Sequence, residues 1–333
     1  MVLRFFFGCS HHLLSNKVIA AGIAIPDTHF LLEYSRPDTL LLRVLARSLI
    51  LWDEVQPSST WIEMQVPSVV LSAYLKIQDT AKRNSDMPGR TMNHDREEGC
   101  CTNHENAMSM RQTMQTHAQQ QYIKDESEPE GADQDFDGDY DVDRQIVRQM
   151  HAYIIAGSCF SLGLRFAGTA DAQAARVITK VLLDMKSFRD STEPIPVALR
   201  PDQPIVGMCL NLCAVSLALV MAGTGDLDTL RLFKTIRWRA DEGVRHGAHM
   251  ALSAAIGLLF LGGGMRTIGR SPEDVAALVA AFFPRFPMDP TDNKYHLQAM
   301  RHLYVLAVKQ RHVEAYDVDS DECVSVLVEV NSW

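Results

Sequence analysis

Histidine and cysteine side chains cluster near residue 100 in a pattern that could bind zinc. Four nitrogen and sulfur ligands lie within eleven residues of one another: His94, Cys100, Cys101 and His104. Structural zinc sites hold one ion tetrahedrally, usually through spaced pairs of ligands, and adjacent cysteines fit that geometry poorly. The flanking sequence is polar and offers no apolar core to support such a site. We therefore predict that no metal binds here.

An acidic run further along the chain, residues 133–141, begins like the calcium-binding loop of an EF-hand. Three aspartates and Gly138 stand at loop positions 1, 3, 5 and 6. Such a loop needs a bidentate glutamate at position 12, and Arg144 occupies that place. Because a cation there opposes calcium binding, we predict a solvated acidic linker, with docking to a basic partner as the alternative.

Two histidines and two glycine-containing runs could also indicate catalysis. His246 and His249 have metal-ligand spacing, but the zinc protease motif needs a glutamate between them. The runs 222–225 and 262–264 follow predicted helices, whereas nucleotide-binding loops follow strands. We therefore predict no catalytic, cofactor-binding or metal-ligating residue. A metal-dependent enzyme built on these histidines and cysteines is the remote alternative.

The charge of the chain is concentrated in one segment. The 333 residues have a net charge of −9, and residues 124–143 contain ten acids and one base, which accounts for all of it. Residues 79–143 contain almost no aliphatic side chains, so we predict a disordered acidic insertion. A generally basic nucleic-acid surface is not expected. The seven cysteines form no CxxC pair, which favours a reducing, intracellular compartment over secretion.

Apolar residues recur at helical spacing on both sides of this insertion. Ser271-Pro272 is typical of a helix start, and the helix it opens should stop before Pro284. Alternating valines predict a strand over 323–330. The predicted helices are 38–55, 144–167, 171–186, 206–222, 226–238, 246–261, 271–283 and 292–309.

Three segments, 161–182, 216–237 and 255–283, share one pattern: an apolar helix, a glycine turn and a second, amphipathic helix. Each first helix carries a small residue near its middle, and each turn carries a glycine that can adopt a left-handed conformation. A unit with an apolar helix of this kind must stack on its neighbours. The apolar run 205–223 is then an inner helix and not a membrane span. The small residues are Gly163, Ala218 and Gly257, and the turn glycines are Gly168, Gly223 and Gly262.

The AGTxD turns and their spacing resemble proteasome/cyclosome repeats. Three stretches are similar to the family of the cyclosome scaffold, anaphase-promoting complex subunit 1: 25–62, 151–171 with its two following repeats, and TDNKYHLQAMRHLYVLAVKQR at 291–311. The match covers nearly all of the chain outside 79–143. Members of that family are several times longer, so the chain resembles a fragment that holds the later repeats.

The resemblance implies a mostly α fold, an α-α solenoid closed into a toroid, with a short C-terminal β element. It implies a non-catalytic scaffold of a multisubunit E3 ubiquitin ligase that controls mitosis, located in nucleus and cytoplasm. The expected partners are a cullin/RING module and tetratricopeptide-repeat subunits, with no cofactor, nucleic acid or membrane. The alternative is a non-ATPase scaffold subunit of the proteasome base. The predicted divisions are partial repeats at 1–78, the insertion at 79–143, repeats at 144–288, and a closing helix and strand at 289–333.

Overall fold

A computed structural model describes residues 13–29, 31–32, 35–85, 144–190, 202–238, 246–287, 289, 291–292, 297–311, 315–320 and 322–325. Over these residues the protein is mostly helical, which confirms the predicted fold class at that level. The four zinc-type ligands near residue 100 and the acidic run 133–143 lie outside the described residues.

Helices account for nearly all of the regular structure. The longer ones follow the predicted ranges closely, although α1 and α4 were not predicted, and α4 continues past Gln78, where the composition changes. The α-helices are α1 Leu13–Ile23, α2 Pro37–Ile50, α3 Ser59–Glu63, α4 Ser68–Ser85, α5 Arg144–Arg165, α6 Ala172–Asp190, α7 Gln203–Val220, α8 Leu227–Arg237, α9 His246–Leu259, α10 Pro272–Ala281 and α11 Leu297–Met300. Short 3-10 helices cover Trp52–Glu54, Leu261–Gly264 and Arg301–Ala307.

Four short strands form two antiparallel pairs. Strand β1 (Arg266–Ile268) pairs with β2 (Val308–Gln310), with Thr267 opposite Lys309. Strand β3 (Ala315–Tyr316) pairs with β4 (Cys323–Val324). Of the predicted strand 323–330, the described part contains only β4, and residues 326–330 lie outside it.

The core is built around two helices, α5 and α7, that are buried on nearly all sides. Helix α5 packs against α2 and α7, and α7 also packs against α6 and α9. Burial of their polar side chains is compensated within each helix. Ser158 and Ser216 donate hydroxyl hydrogen bonds to the carbonyls of Ile154 and Leu212, one turn earlier. Both helices therefore bury apolar surface on several faces without leaving these hydroxyls unsatisfied.

The predicted continuous helix over 292–309 is wrong. A short helix α11 gives way to a 3-10 helix and then to strand β2. The backbone becomes extended at Val308 because β2 forms ladder hydrogen bonds with β1, a pairing that helical periodicity does not reveal. Met300 is 44% exposed, while Arg301 is 7% exposed and donates to the carbonyls of Ala281 and Phe283.

Candidate functional site

The recurring glycine turns are the feature that organises the described helices, and they have a common local chemistry. After α5, the backbone at Gly168 has φ +68°, which a glycine adopts without strain. Thr169 donates its hydroxyl to the carbonyl of Phe166 at 2.8 Å, and Asp171 accepts from the backbone N–H of Ala174 at 2.7 Å. The aspartate thereby caps the N-terminus of α6.

The turn after α7 repeats this arrangement. Gly223 has φ +72°, and Thr224 donates to the carbonyl of Met221 at 2.8 Å. Asp226 accepts from the N–H of Thr229 at 2.8 Å and caps α8. The AGTxD sequence therefore supplies three structural features in order. Its glycine adopts a left-handed conformation, its threonine hydroxyl closes the turn, and its aspartate carboxylate caps the next helix.

Each turn also bonds to the end of the following inner helix. The N–H groups of Gly168 and Ala170 donate to the carbonyls of Leu219 and Val220 at 2.8 and 3.0 Å. These carbonyls at the end of α7 have no partner within their own helix. The turn after α7 does the same for α9, with Gly223 and Gly225 donating to Leu258 and Leu259, both at 2.9 Å.

The third turn departs from the pattern. Gly262 has φ +58°, but two more glycines with positive φ follow it, and the chain enters strand β1 before α10 begins. Strand β1 lies across the first two turns: Thr267 donates to the carbonyl of Gly168 at 3.0 Å, and a β-carbon on Gly223 would collide with the carbonyl oxygen of Arg266. The turns after α5, α7 and α9 thus meet along one edge of the molecule.

Close helix packing explains one of the small residues, Gly163. A β-carbon there would lie 2.8 Å from Cα of Ser216, so α5 and α7 approach each other at that point. Gly157 does the same on another face, where a β-carbon would lie 2.9 Å from the carbonyl oxygen of Leu41. Sequence reasoning missed Gly157, because its contact comes from α2, more than a hundred residues away. Ala218 is fully buried in α7.

Gly257 differs from Gly163. It is exposed, and a β-carbon on it would meet no described atom within 4 Å, so no close helix approach explains this glycine. Phe260, one turn further, is 43% exposed. Two apolar stretches are long enough by length and composition to cross a membrane: α7, 72% buried, and the stretch from α9 through Gly264, 33% buried. The second stretch is therefore mostly not buried among the described residues, and Phe260 is its exposed large apolar side chain.

The buried titratable groups do not form a catalytic arrangement within the described ranges. Burial lowers the pKa of His151 to about 4, and its ring stacks on Tyr74 with centroids 4.0 Å apart. Burial raises the pKa of the Cys209 thiol, which disfavours the reactive thiolate. His246 is exposed at the start of α9, with His249 one turn along. Where the chain is described, no three His, Cys, Asp or Glu side chains are placed to hold a metal ion.

Comparison with known proteins shows that most of the chain matches one protein family. A family model described as the fifth domain of APC1 matches residues 11–309. The chain is 35% identical over 324 residues to anaphase-promoting complex subunit 1 of Arabidopsis thaliana, which covers 95% of this chain and 16% of that protein. Identity to anaphase-promoting complex subunit 1 of Homo sapiens is 33% over 321 residues, covering 95% of this chain and 13% of that protein.

A fungal relative has a different name. The chain is 32% identical over 317 residues to the "negative regulator of mitosis" of Emericella nidulans, which covers 95% of this chain and 12% of that protein. The chain therefore spans about a sixth or less of the length of these three relatives.

Proposed function

The chain belongs to the family of anaphase-promoting complex subunit 1, and on that premise we propose that it acts as a non-catalytic scaffold segment of that complex. The match over residues 11–309 carries the proposal, since it includes every glycine turn and the α-helices from α1 to α11. The names of the relatives refer to a complex subunit and to regulation of mitosis. They do not favour the proteasome-base alternative.

The scaffold acts through its shape, as an α-α solenoid. Inner helices α2, α5, α7 and α9 contact one another in that order, and α6 and α8 each follow an inner helix through a glycine turn. The turn hydrogen bonds fix each repeat on the next one. A stack of this kind is stiff, because every repeat is held by its neighbours, and it can keep bound subunits at fixed separations.

The open face of α9 supports a longer stack than these residues form. Gly257 on α9 and Phe260 just after it are exposed, in an apolar stretch that is less apolar than α7. Large exposed apolar faces mark surfaces that another protein element covers. In the full-length setting, a further repeat covers this face, as a closed toroid requires. Cullin and RING subunits and tetratricopeptide-repeat subunits are the partners we propose for the assembled body, in a reducing compartment of nucleus and cytoplasm.

Affinity purification of the tagged chain from cells of its source, read by mass spectrometry, tests this function. We expect recovery of a cullin-like subunit, a RING subunit and tetratricopeptide-repeat subunits. Gly163→Ala should reduce their recovery, because the added β-carbon would lie 2.8 Å from Cα of Ser216 and separate α5 from α7. Gly207→Ala, in α7 but with no described atom within 4 Å of the new β-carbon, is the matched control. Recovery of proteasomal ATPases instead would contradict the proposal.

Metal analysis of the same purified chain tests the enzyme alternative. The scaffold proposal predicts substoichiometric zinc and calcium after dialysis against a weak chelator. Stoichiometric metal that disappears when His246 and His249, or the ligands near residue 100, are replaced would favour the metal-dependent enzyme.

A further inference from the structure

One surface of the described fold carries basic side chains from three neighbouring helices. Contacts among α5, α6 and α8, and from α4 beside them, show that these helices are neighbours. Tyr74 of α4 stacks on His151 near the start of α5. Burial raises the pKa of the same tyrosine, and Arg148 of α5 and Asp184 of α6 lie close enough to influence that pKa. Arg189, at the end of α6, donates to the carbonyl of Ile236, at the end of α8, at 3.4 Å.

Five basic side chains lie at the start of α5, on α6 and at the end of α8. Together we call them the basic surface. Four of them are exposed, and Arg148 is half-buried. No described acid lies within ion-pair distance of any of the five. The five residues are Arg144, Arg148, Lys180, Lys234 and Arg237.

The acids nearby do not balance this charge. Asp190 is already paired with Lys186 at 3.0 Å and with Arg189 at 2.8 Å. Asp184 lies one turn from Lys180 and offsets part of its charge, while partial burial raises the pKa of Asp184 and Lys180 opposes that rise. Asp38 and Asp202 lie near Tyr153, on the inner-helix side, where Asp38 also contacts Arg285. The basic surface therefore has a positive charge that the described residues leave largely uncompensated.

Large apolar side chains stand exposed among these bases. Trp238, next to Arg237, is 87% exposed, and Leu183 and Phe188 of α6 are 48% and 39% exposed. An aromatic ring and aliphatic groups beside several cations suit a ligand in which acidic and aromatic groups alternate, because each group then meets its complement.

The chain itself contains a segment of that composition, directly before Arg144. Residues 133–143 read DQDFDGDYDVD, with an acid at every second position and Phe136, Tyr140 and Val142 between acids. Eleven residues can span at most about 36–40 Å. The distance from α5 across α6 to α8 is about two helix spacings, roughly 20 Å. Covalent connection also gives this segment an effective concentration of about a millimolar or more.

We propose that residues 133–143 bind across the basic surface of the same chain. The aspartates pair with the exposed bases, and the aromatic side chains contact Trp238 and its apolar neighbours on α6. Each exposed ion pair contributes little alone, so binding depends on their number and weakens as salt screens them. The contact goes beyond the scaffold function and does not depend on it: an acidic segment of another protein reaches this surface only by displacing residues 133–143.

Carbodiimide cross-linking of the full 333-residue chain tests this contact, because it joins carboxylates only to lysines in contact with them. We expect cross-links from residues 133–143 to Lys234 and Lys180 at 50 mM NaCl, reduced about fivefold at 500 mM NaCl. Lys17 is the control lysine: it is exposed, it lies 3.9 Å from Glu54, and it should cross-link to that glutamate and not to the acidic segment.

Two variants separate the basic surface from general charge. Arg144→Gln with Arg237→Gln, both at exposed positions, should reduce the cross-links to Lys180 and Lys234 about fivefold. Arg231→Gln should leave them unchanged, since Arg231 lies on α8 but pairs with Asp228. Circular dichroism of each variant reports whether its helices are intact.

Three results would overturn the proposal: no cross-links to residues 133–143, equal cross-link yields at Lys17 and Lys234, or cross-link yields that do not change with salt concentration. An equal mixture of 15N-labelled and unlabelled chain shows whether the cross-links form within one chain or between two copies. Cross-linked peptide pairs from a single chain support the contact as proposed. Mixed pairs overturn it and assign the basic surface to the acidic segment of a second copy.

Discussion

Ala170 and Gly225 occupy the same place in successive repeat turns, and both have a left-handed backbone, with φ +54° and +64°. Each donates its N–H to the end of the following inner helix. Among the described residues outside glycine, Ala170 alone has a positive φ. A left-handed conformation costs a residue with a β-carbon about 1 kcal/mol or more, so the first turn stores strain that the second avoids.

Exchanging these two residues should change stability in opposite directions. Ala170→Gly should raise the free energy of unfolding by about 0.5–1 kcal/mol, and Gly225→Ala should lower it by about 1 kcal/mol. The β-carbon added at Gly225 would lie 3.4 Å from the ring of Phe260, so backbone strain supplies most of the loss. Urea denaturation followed by circular dichroism measures both values. Equal signs for the two variants would contradict the equivalence of the turns.

Gly163→Ala should destabilise the protein by about 1–3 kcal/mol through overpacking between α5 and α7. The added methyl group would lie 2.8 Å from backbone Cα of Ser216, which cannot move without shifting α7. Gly207→Ala, within α7 itself, meets no described atom and should be neutral or stabilising by about 0.5–1 kcal/mol. Thermal unfolding of the two variants, side by side, distinguishes steric conflict from a general effect of removing glycine.

Asp27 caps α4 from a distant part of the chain and should make stability depend on pH. It accepts from the hydroxyl of Ser68 at 2.6 Å and from the N–H of Val69 at 2.9 Å. Partial burial acts to raise its pKa, but these hydrogen bonds outweigh it, and the pKa falls below the usual 3.8. Because the folded-state pKa is the lower one, the stabilisation is complete above about pH 4 and is lost as pH falls through the folded value.

Asp27→Ala should therefore lower the free energy of unfolding by about 1 kcal/mol at pH 7. The difference from the unchanged protein should shrink when both are measured at successively lower pH below 4. A constant difference across that range would show that Asp27 does not act as a charged cap.

Arg301→Met should destabilise the protein by about 2–3 kcal/mol. The guanidinium is buried and donates to the carbonyls of Ala281, Phe283 and Arg285 at 2.8, 2.7 and 2.5 Å, which closes the end of α10. Burial lowers the pKa of Arg301 to about 10, still far above neutrality, so the charge persists in the fold. His302→Gln, at the exposed neighbouring position, is the control and should change unfolding little.

Local chemistry made some of these features predictable and left others hidden. Ser271 was predicted as a cap because its partners lie within three residues, and the structure has the full capping box with Asp274. The glycine turns were equally readable, since Gly, Thr and Asp act within six residues. Strand β1 was not foreseen, because its partner β2 is about forty residues away. The close approach at Gly157 depends on Leu41, beyond the acidic segment, and no local pattern could reveal it.

The glycine turns also determine where the chain can change length. The first two connect an inner helix to an outer helix through six residues and donate two hydrogen bonds to the next repeat, so an insertion in either would break two hydrogen bonds at once. The connections that lead back to the next inner helix start and finish at the opposite ends of these helices, with 58 residues between α4 and α5, 12 between α6 and α7, and 8 between α8 and α9. Each doubling of loop length costs only about 0.6 kcal/mol. Insertions at that end can therefore accumulate without changing how the helices stack. Variation between species in this region should collect on one rim, opposite a rim of constant length.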